Sequence, residues 1–565
     1  MGKKYLIVGG VAGGASVAAR LRRLDESADI TMLERGRDVS FSNCALPYFL
    51  GGEIASSEEL LLMDPDTFWR RYRIRALTHH EAIKIDRAGR TVRVQDLEKG
   101  VDSDFPYDTL FLSPGASPIL PPACPGADLP HVFTVRNVTD VERIDAYIKA
   151  RGVREAVVIG GGFIGLEVME NLAASGLKVA LADMAPQVML PLDADMAQLL
   201  HREILEHGID LRLGDGVAAV DREGVTLSSG ARLPAQIVIM AIGVRPETGL
   251  ARDAGLEIGK TGAILVDENM RTSDPHIFAV GDAVEVRHRL TGKKNRLALA
   301  GPALRQARQA ANAAEGVAER LGDVLGSAVL RVFSLNAAST GLNERQCETE
   351  GFDFGAAFVV PADRVGIMPG ASPLFFKLIF EKPTGRVLGA QAVGRGAADK
   401  RIDVVATAMR FGATVWDLKD LDLAYAPHFS SARDAVHHAA LSACDQLQGL
   451  VSAVPFSRVR ELHARGAFFL DVREKEEFEY AHILGSVNAP LGELRERLTD
   501  IPKDRPVYAL CRTGQRSYNA VRALRQLGFD QVFNVAGSFL ALSWFEQPQD
   551  RMLGRAPILS AYNFE

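Results

Sequence analysis

Two glycine-rich turns, one at Gly9 and one at Gly160, constrain this chain more than any other feature, because each stands where a short apolar run meets a helix. Tyr5–Val8 runs into Gly9-Gly10-Val11-Ala12-Gly13-Gly14, and an Ala- and Arg-rich helical stretch follows to Arg23. A second strand, Ile30–Leu33, ends at Glu34. Glycines at such a turn let the backbone approach a pyrophosphate at a helix N-terminus, and the acidic residue accepts hydrogen bonds from an adenosine ribose. The middle glycine of the pattern is Val11 here. The second turn has all three: Ala156–Ile159 leads into Gly160-Gly161-Gly162-Phe163-Ile164-Gly165, then a helix Leu166–Ser175 and a strand Lys178–Ala182 ending at Asp183. Met184, Ala185 and Pro186 follow, with no arginine to receive a 2′-phosphate, which favours NADH over NADPH. Two βαβ units predict two dinucleotides and two parallel sheets.

Bulk properties narrow the partners. A chain of 565 residues exceeds one core and requires several domains. A net charge of -6 argues against nucleic acid and leaves any anionic ligand to local cations. No run reaches the ~18 consecutive apolar residues of a membrane span. The start, MGKKYLIVGG, shows no cleavage pattern, so a cytoplasmic location is expected. The cysteines (Cys44, Cys124, Cys347, Cys444 and Cys511) show no paired spacing, and neither a disulfide scaffold nor a metal site is expected.

Two of those cysteines sit in informative surroundings. Ser40-Phe41-Ser42-Asn43-Cys44-Ala45-Leu46-Pro47-Tyr48 holds one thiol, and position 49 is Phe. A lone cysteine in redox chemistry turns over as half of a mixed disulfide, as a persulfide or as a sulfenic acid, so its partner comes from elsewhere. Cys511-Arg512-Thr513-Gly514-Gln515-Arg516-Ser517 follows the strand Val507–Leu510 and opens a helix. Amides turned inward at a helix N-terminus form an anion nest that stabilises a thiolate or a terminal persulfide. Arg512 and Arg516 add positive charge.

These segments resemble known families. Thr272-Ser273-Asp274-Pro275-His276-Ile277-Phe278-Ala279-Val280-Gly281-Asp282-Ala283 resembles the second FAD fingerprint of the pyridine nucleotide–disulfide oxidoreductases, and Ser113-Pro114-Gly115-Ala116 the loop leaving their FAD domain. SFSNCALPY, preceded by GGVAGGAS, closely resembles the coenzyme A disulfide reductases and their persulfide-reducing relatives, a likeness reaching about residue 445. The resemblance implies FAD on Gly9, Val11, Ala12, Gly14, Glu34, Arg35, Asn43, Ala82, Ser113, Gly115, Gly281, Asp282, Gly301 and Phe429. It implies NADH on Gly160, Gly162, Phe163, Ile164, Gly165, Glu167 and Asp183, and coenzyme A on Ser16, Arg20, Arg23, Ser40, Asn43, Cys44 and Arg433. Tyr425-Ala426-Pro427-His428-Phe429-Ser430 matches a motif that, in the family, enters the active site of the other subunit of a homodimer; Tyr425 would act as proton donor, or as hydrogen-bond partner, to the leaving thiolate. A second tyrosine of the family is Met368 here and an asparagine before Arg305 is Leu304, departures that alter handling of the sulfur end or pantetheine arm. Gly396–Asp403 matches the family's dimerisation domain. Phe468–Glu474, His482–Pro490 and the Cys511 loop resemble the rhodanese family. There the Cys-x4-Arg spacing suits sulfur transfer, whereas phosphatases of that fold use Cys-x5-Arg.

The expected fold is α/β: two Rossmann-like domains, for FAD (1–150, returning at 271–325) and NAD (151–270), an α+β dimerisation domain (326–446), a linker (447–453), an α/β rhodanese domain (454–550) and a tail (551–565). The expected activity is an FAD-dependent NADH:persulfide or polysulfide reductase, acting on coenzyme A persulfide at Cys44 and coupled to sulfur transfer at Cys511. Alternatives are a CoA-disulfide reductase, an NADH oxidase or peroxidase, and a non-enzymatic sulfur carrier or redox sensor.

Overall fold

Apolar runs that alternate with helices build parallel sheets, and the described residues hold three of them. The computed structural model describes residues 2–564 apart from 122, 318, 320 and 321. They form two units, Met1–Pro186 with Arg212–Val324, and Gln187–Leu211 with Leu325–Glu565.

In the first unit one sheet runs in the order Ile277–Ala279, Thr109–Leu112, Lys4–Val8, Asp29–Leu33, Ile74–Leu77, every neighbour parallel. Ile7, Met32, Phe111 and Ile277 are buried in it, as a parallel sheet covered on both faces requires. The strand Ile277–Ala279 returns from far along the chain to complete this sheet. A second sheet places Glu155–Ile159 between Lys178–Asp183 and Ile237–Met240, with Val132–Phe133 beyond, again parallel. Both Rossmann-like cores expected from the glycine turns are present.

The second unit opens on an antiparallel sheet ordered Ala328–Val332, Leu335–Gly341, Val387–Gly394, Leu374–Glu381, Phe354–Val359. The helices Ala398–Arg410 and Ala435–Leu447 pack on it. The helix Ala194–Glu206, which lies among residues expected in the NAD domain, belongs to this unit. Buried Lys377 explains the attachment. Its Nζ reaches Asp193 at 3.0 Å, Asp195 at 2.9 Å and Glu344 at 3.0 Å, so each of its three donors meets a carboxylate. Burial opposes that charge, but Asp195, Asp193 and Glu344 outweigh it and hold the lysine pKa above its ordinary value. Gln391 closes the cluster, donating to Asp193 Oδ2 at 2.7 Å and accepting from the Asp193 amide at 2.8 Å.

The last sheet of this unit is parallel, ordered Ala453–Pro455, Val532–Ala536, Val507–Leu510, Phe468–Asp471, Val487–Asn488. Within the linker expected at 447–453, the preceding helix runs to Leu447 and the edge strand begins at Ala453. At the tail, the Arg202 guanidinium lies between two rings, 4.1 Å from Trp544 and 3.8 Å from Phe564. Among the described residues no helix is long and apolar enough to cross a membrane.

Candidate active site

The two glycine turns are built alike. Gly9 has φ +99°, and a Cβ there would lie 2.0 Å from the Ser113 carbonyl oxygen; Gly160 has φ +111°, with Ala241 in the matching place at 2.4 Å. A Cβ on Gly14 or Gly165 would lie 1.8 Å from the carbonyl oxygen of Gly9 or Gly160, so the helix can approach its strand only on glycine. The middle position differs in kind. Val11 caps its helix at φ -98°, and Gly162 caps the other at φ -82°, where a Cβ would meet nothing within 4 Å. Valine at the first turn therefore strains no backbone.

Acidic residues close both turns in the same manner. Glu34 accepts from the amides of Gly10 and Gly36, each at 2.8 Å; Asp183 accepts from Gly161 at 2.5 Å and Ala185 at 2.8 Å. A carboxylate oxygen has more than one lone pair, so both keep acceptor capacity for ribose hydroxyls.

Around the first turn lies a cleft of about 960 Å³, open to solvent and lined by Gly9, Val11, Ala12, Glu34, Arg35, Asn43, Ser113, Gly115, Gly281 and Asp282. Ala82 lines an adjoining recess with Glu34 and Arg35. Gly14 is buried behind the turn, Gly301 lies in the first turn of the helix Ala300–Ala314, and Phe429 lies in the second unit. The cleft also brings in Arg136, Asn137 and Thr139, which sequence reasoning missed. Asn137 caps the helix Val138–Arg151 by accepting from the Asp140 amide at 2.9 Å, a start signal visible in the sequence; Arg136 carries no such signal. Asn43 Oδ1 is buried with no hydrogen-bond partner among the described residues. Burial raises the Asp282 pKa, with Arg136 opposing. Turn amides and Arg136 for a pyrophosphate, Glu34 for a ribose and unsatisfied Asn43 deeper in form a donor and acceptor set that fits a flavin dinucleotide.

Cys44 stands in the turn Asn43–Ala45, ahead of the short helix Leu46–Leu50. Its side chain is exposed. Its surroundings nonetheless desolvate the thiolate, and the carboxylates of Glu167 and Asp282 add repulsion, so its pKa is raised above that of an ordinary thiol. Glu167 belongs to the helix of the second turn and Asp282 to the return segment of the first sheet. The thiol thus lies where the two nucleotide-type sites converge, and without ligands it is protonated near neutral pH. The segment is pinned by Ser40, a buried residue at φ +49° whose amide donates to the Gly10 carbonyl at 2.8 Å. On the first helix Arg20 donates to Asn312 Oδ1 at 2.8 Å, Arg23 is exposed and Ser16 is half-buried. Cys124, Cys347 and Cys444 are buried away from these features.

In the second unit the Tyr425 loop is held from beneath. Buried Arg401 donates to Asp434 Oδ2 at 3.0 Å and to the carbonyls of Asp363 at 2.9 Å and Phe429 at 3.3 Å. His437 Nε2 donates to the Leu421 carbonyl at 2.8 Å. Tyr425 and Phe429 themselves are 49% and 77% exposed, and Arg433 is exposed.

At the other thiol, Cys511 is 1% exposed and ends the strand Val507–Leu510. The Gly514 amide donates to its Sγ at 3.1 Å and the Ser517 hydroxyl at 3.5 Å, while its own amide donates to Ser538 Oγ at 3.1 Å. Gly514, at φ +109°, turns the chain into the helix Gln515–Gln526. Arg512 and Gln515 are exposed and Thr513 is half-buried. Arg516 departs from the expectation of an open positive charge: its guanidinium is paired twice with Glu477, at 2.6 and 2.8 Å.

Comparison with known proteins agrees with this geometry. The pyridine nucleotide-disulphide oxidoreductase model matches residues 3–307, its dimerisation domain 327–437, and the rhodanese-like domain 457–543. Coenzyme A disulfide reductase of Staphylococcus epidermidis is 35% identical over 435 residues, 77% of this chain and 98% of that protein. The reduced Bacillus anthracis CoADR-RHD superposes with a TM-score of 0.93 at 42% identity, covering 97% of this chain and 99% of that one. An NAD-dependent persulfide reductase from A. fulgidus gives 0.91 at 35% identity, covering 95% and 99%. The chain belongs to the pyridine nucleotide-disulphide oxidoreductase family, carrying that family's dimerisation domain and a rhodanese-like domain after it.

Proposed function

We propose that the protein is an NADH-dependent persulfide reductase that takes coenzyme A persulfide, or a related persulfide or polysulfide, at Cys44, while Cys511 handles sulfane sulfur in the same chain. Cys44 carries this reading: an exposed thiol, alone in its segment, close to Glu167 of one nucleotide-type site and Asp282 of the other. The likeness to the A. fulgidus persulfide reductase extends over 95% of the chain and so includes the rhodanese-like region. The staphylococcal disulfide reductase match spans 77% of it.

FAD, when bound, supplies two-electron transfer between nicotinamide and sulfur; Glu34, Asn43, Ser113, Arg136 and Asp282 would hold it. Asp183 would bind the ribose of NADH. Arg20 and Arg23 would meet the phosphates of coenzyme A. Cys44 Sγ, as the thiolate, attacks the inner sulfur of the persulfide; a mixed disulfide forms and hydrosulfide leaves. Two-electron reduction of that disulfide returns the Cys44 thiolate and releases the thiol. Tyr425, from the second subunit of a homodimer, donates the proton the leaving thiolate needs. The raised pKa of free Cys44 gives ligand binding a task, since contacts with cationic and flavin groups must offset Glu167 and Asp282 before the thiolate forms.

A CoA-disulfide reductase is the second reading, supported by the presence of Ser16, Arg20, Ser40 and Asn43 at the family's coenzyme A positions. NADH oxidation with CoA persulfide, polysulfide, CoA disulfide and oxygen, in wild type, Cys44→Ser and Cys511→Ser, separates the two. Persulfide turnover that is lost in Cys44→Ser is the expected result. Turnover with CoA disulfide alone, indifferent to Cys511, would remove the persulfide reading.

A further inference from the structure

We propose that Glu477 sets the donor specificity of the Cys511 loop by neutralising Arg516, so that the loop accepts sulfur from persulfides and rejects dianionic donors such as thiosulfate. The inference rests on reading Cys511 as a sulfane-sulfur carrier.

Cys511 Sγ accepts from two neutral donors, the Gly514 amide at 3.1 Å and the Ser517 hydroxyl at 3.5 Å. They suit a single negative charge on sulfur. A second anionic group on the donor needs a cation at the loop, and Arg516 is the residue whose place in the Cys-x4-Arg pattern would supply it. That guanidinium is engaged by both oxygens of Glu477, the geometry in which an arginine–carboxylate pair is strongest. The pairing also favours both charged forms, lowering the Glu477 pKa and raising that of Arg516.

Glu477 is not free to swing aside. It sits in the first turn of the helix Lys475–Tyr480, and its Oε2 also accepts from the Glu474 amide at 3.1 Å in a capping box. Arg473 gives no compensation. It stacks 4.1 Å over Phe539, whose amide donates to the Cys511 carbonyl, but it is buried against Asp471 at 2.6 Å.

The two transfers load these contacts differently. With a persulfide, the Cys511 thiolate attacks the outer sulfur, the S–S bond breaks, and the thiolate RS⁻ leaves with the bonding pair. With thiosulfate the same attack expels sulfite, and a dianion must approach a thiolate beside a cation already cancelled. Like charges brought together in a part-buried site raise that barrier far more than they raise the first.

The full-length flavoprotein is incubated with coenzyme A persulfide or with thiosulfate, and the gain of one sulfur on Cys511 is followed by mass spectrometry. In Glu477→Gln the ratio of thiosulfate to persulfide loading rates is expected to rise about tenfold. In Arg516→Gln, where Glu477 is left unpaired, the ratio should fall below wild type, and the double variant should lose the gain. A ratio unmoved in both single variants overturns the inference and leaves sulfur carriage by Cys511 standing. Wild-type Cys511 that gains sulfur from neither donor removes both.

Discussion

The Tyr48 hydroxyl donates to Glu167 Oε1 over 3.4 Å, tying the short helix behind Cys44 to the helix behind the second glycine turn. The same carboxylate, after the larger effect of burial, raises the Cys44 pKa. Glu167→Gln is expected to lower that pKa, because it removes a like charge while leaving burial in place. Alkylation rates of Cys44 against pH read this directly; an unshifted profile would assign the whole effect to burial and Asp282.

On the proposed reading Asp183, fixed by the amides of Gly161 and Ala185, takes the adenosine ribose and would repel a 2′-phosphate. Asp183→Ala should raise KM for NADH while relieving repulsion of NADPH, narrowing the preference for NADH about tenfold or more. Steady-state kinetics with both nucleotides test it, and a preference that stays put would place discrimination elsewhere.

Lys377 is 2% exposed and answers three carboxylates. Lys377→Met leaves buried Asp193 and Asp195, and half-buried Glu344, without their cation, at a cost of about 3–5 kcal/mol. Denaturant midpoints should fall accordingly, and hydrogen exchange should quicken first in the helix Ala194–Glu206. The defect should shrink at lower pH, where the orphaned carboxylates take up protons.

His201 is fully buried and neutral: the Val188 amide donates to Nε2 at 3.1 Å, so Nδ1 carries the proton that meets Gln198 Oε1 at 3.1 Å. Burial lowers its pKa from 6.5 to about 3. An unfolded chain takes up a proton below its ordinary value and the folded one does not. The stability this residue contributes is therefore complete above pH 6.5 and declines by about 1.4 kcal/mol per unit as pH falls toward 3. Unfolding midpoints of wild type and His201→Asn should converge between pH 7.5 and 5; parallel profiles would show that another group governs acid stability.

What was legible in the sequence was local. Gly14 and Gly165 are demanded by contacts with Gly9 and Gly160 inside one βαβ unit, and Glu34 and Asp183 stand at strand ends that the apolar runs mark, whereas the Ser113 and Ala241 carbonyls that crowd Gly9 and Gly160 come from outside it. Cys511 announced its nest because strand, loop and helix are consecutive. What escaped joins distant residues. Arg136 enters the cleft from a loop with no motif. Arg516 read as an open charge because its partner, Glu477, is 39 residues upstream. The Cys44 segment showed a lone thiol, but the carboxylates that raise its pKa come from Glu167 and Asp282, far along the chain. The Lys377 cluster draws on positions 193, 195 and 344, and nothing in the order of residues pairs them.

That cluster bears on how such a chain can be taken apart. The backbone passes between its two units at 186–187, again at 211–212 and again at 324–325. No single peptide bond therefore divides the protein into two self-sufficient pieces. A fragment ending near residue 324 would keep Asp193 and Asp195 but discard the lysine that neutralises them, along with the rings of Trp544 and Phe564 that enclose Arg202. A gene shortened to its nucleotide-binding half would encode a helix stripped of its counterion and its cover. Loss of the C-terminal half would therefore be more than a simple deletion.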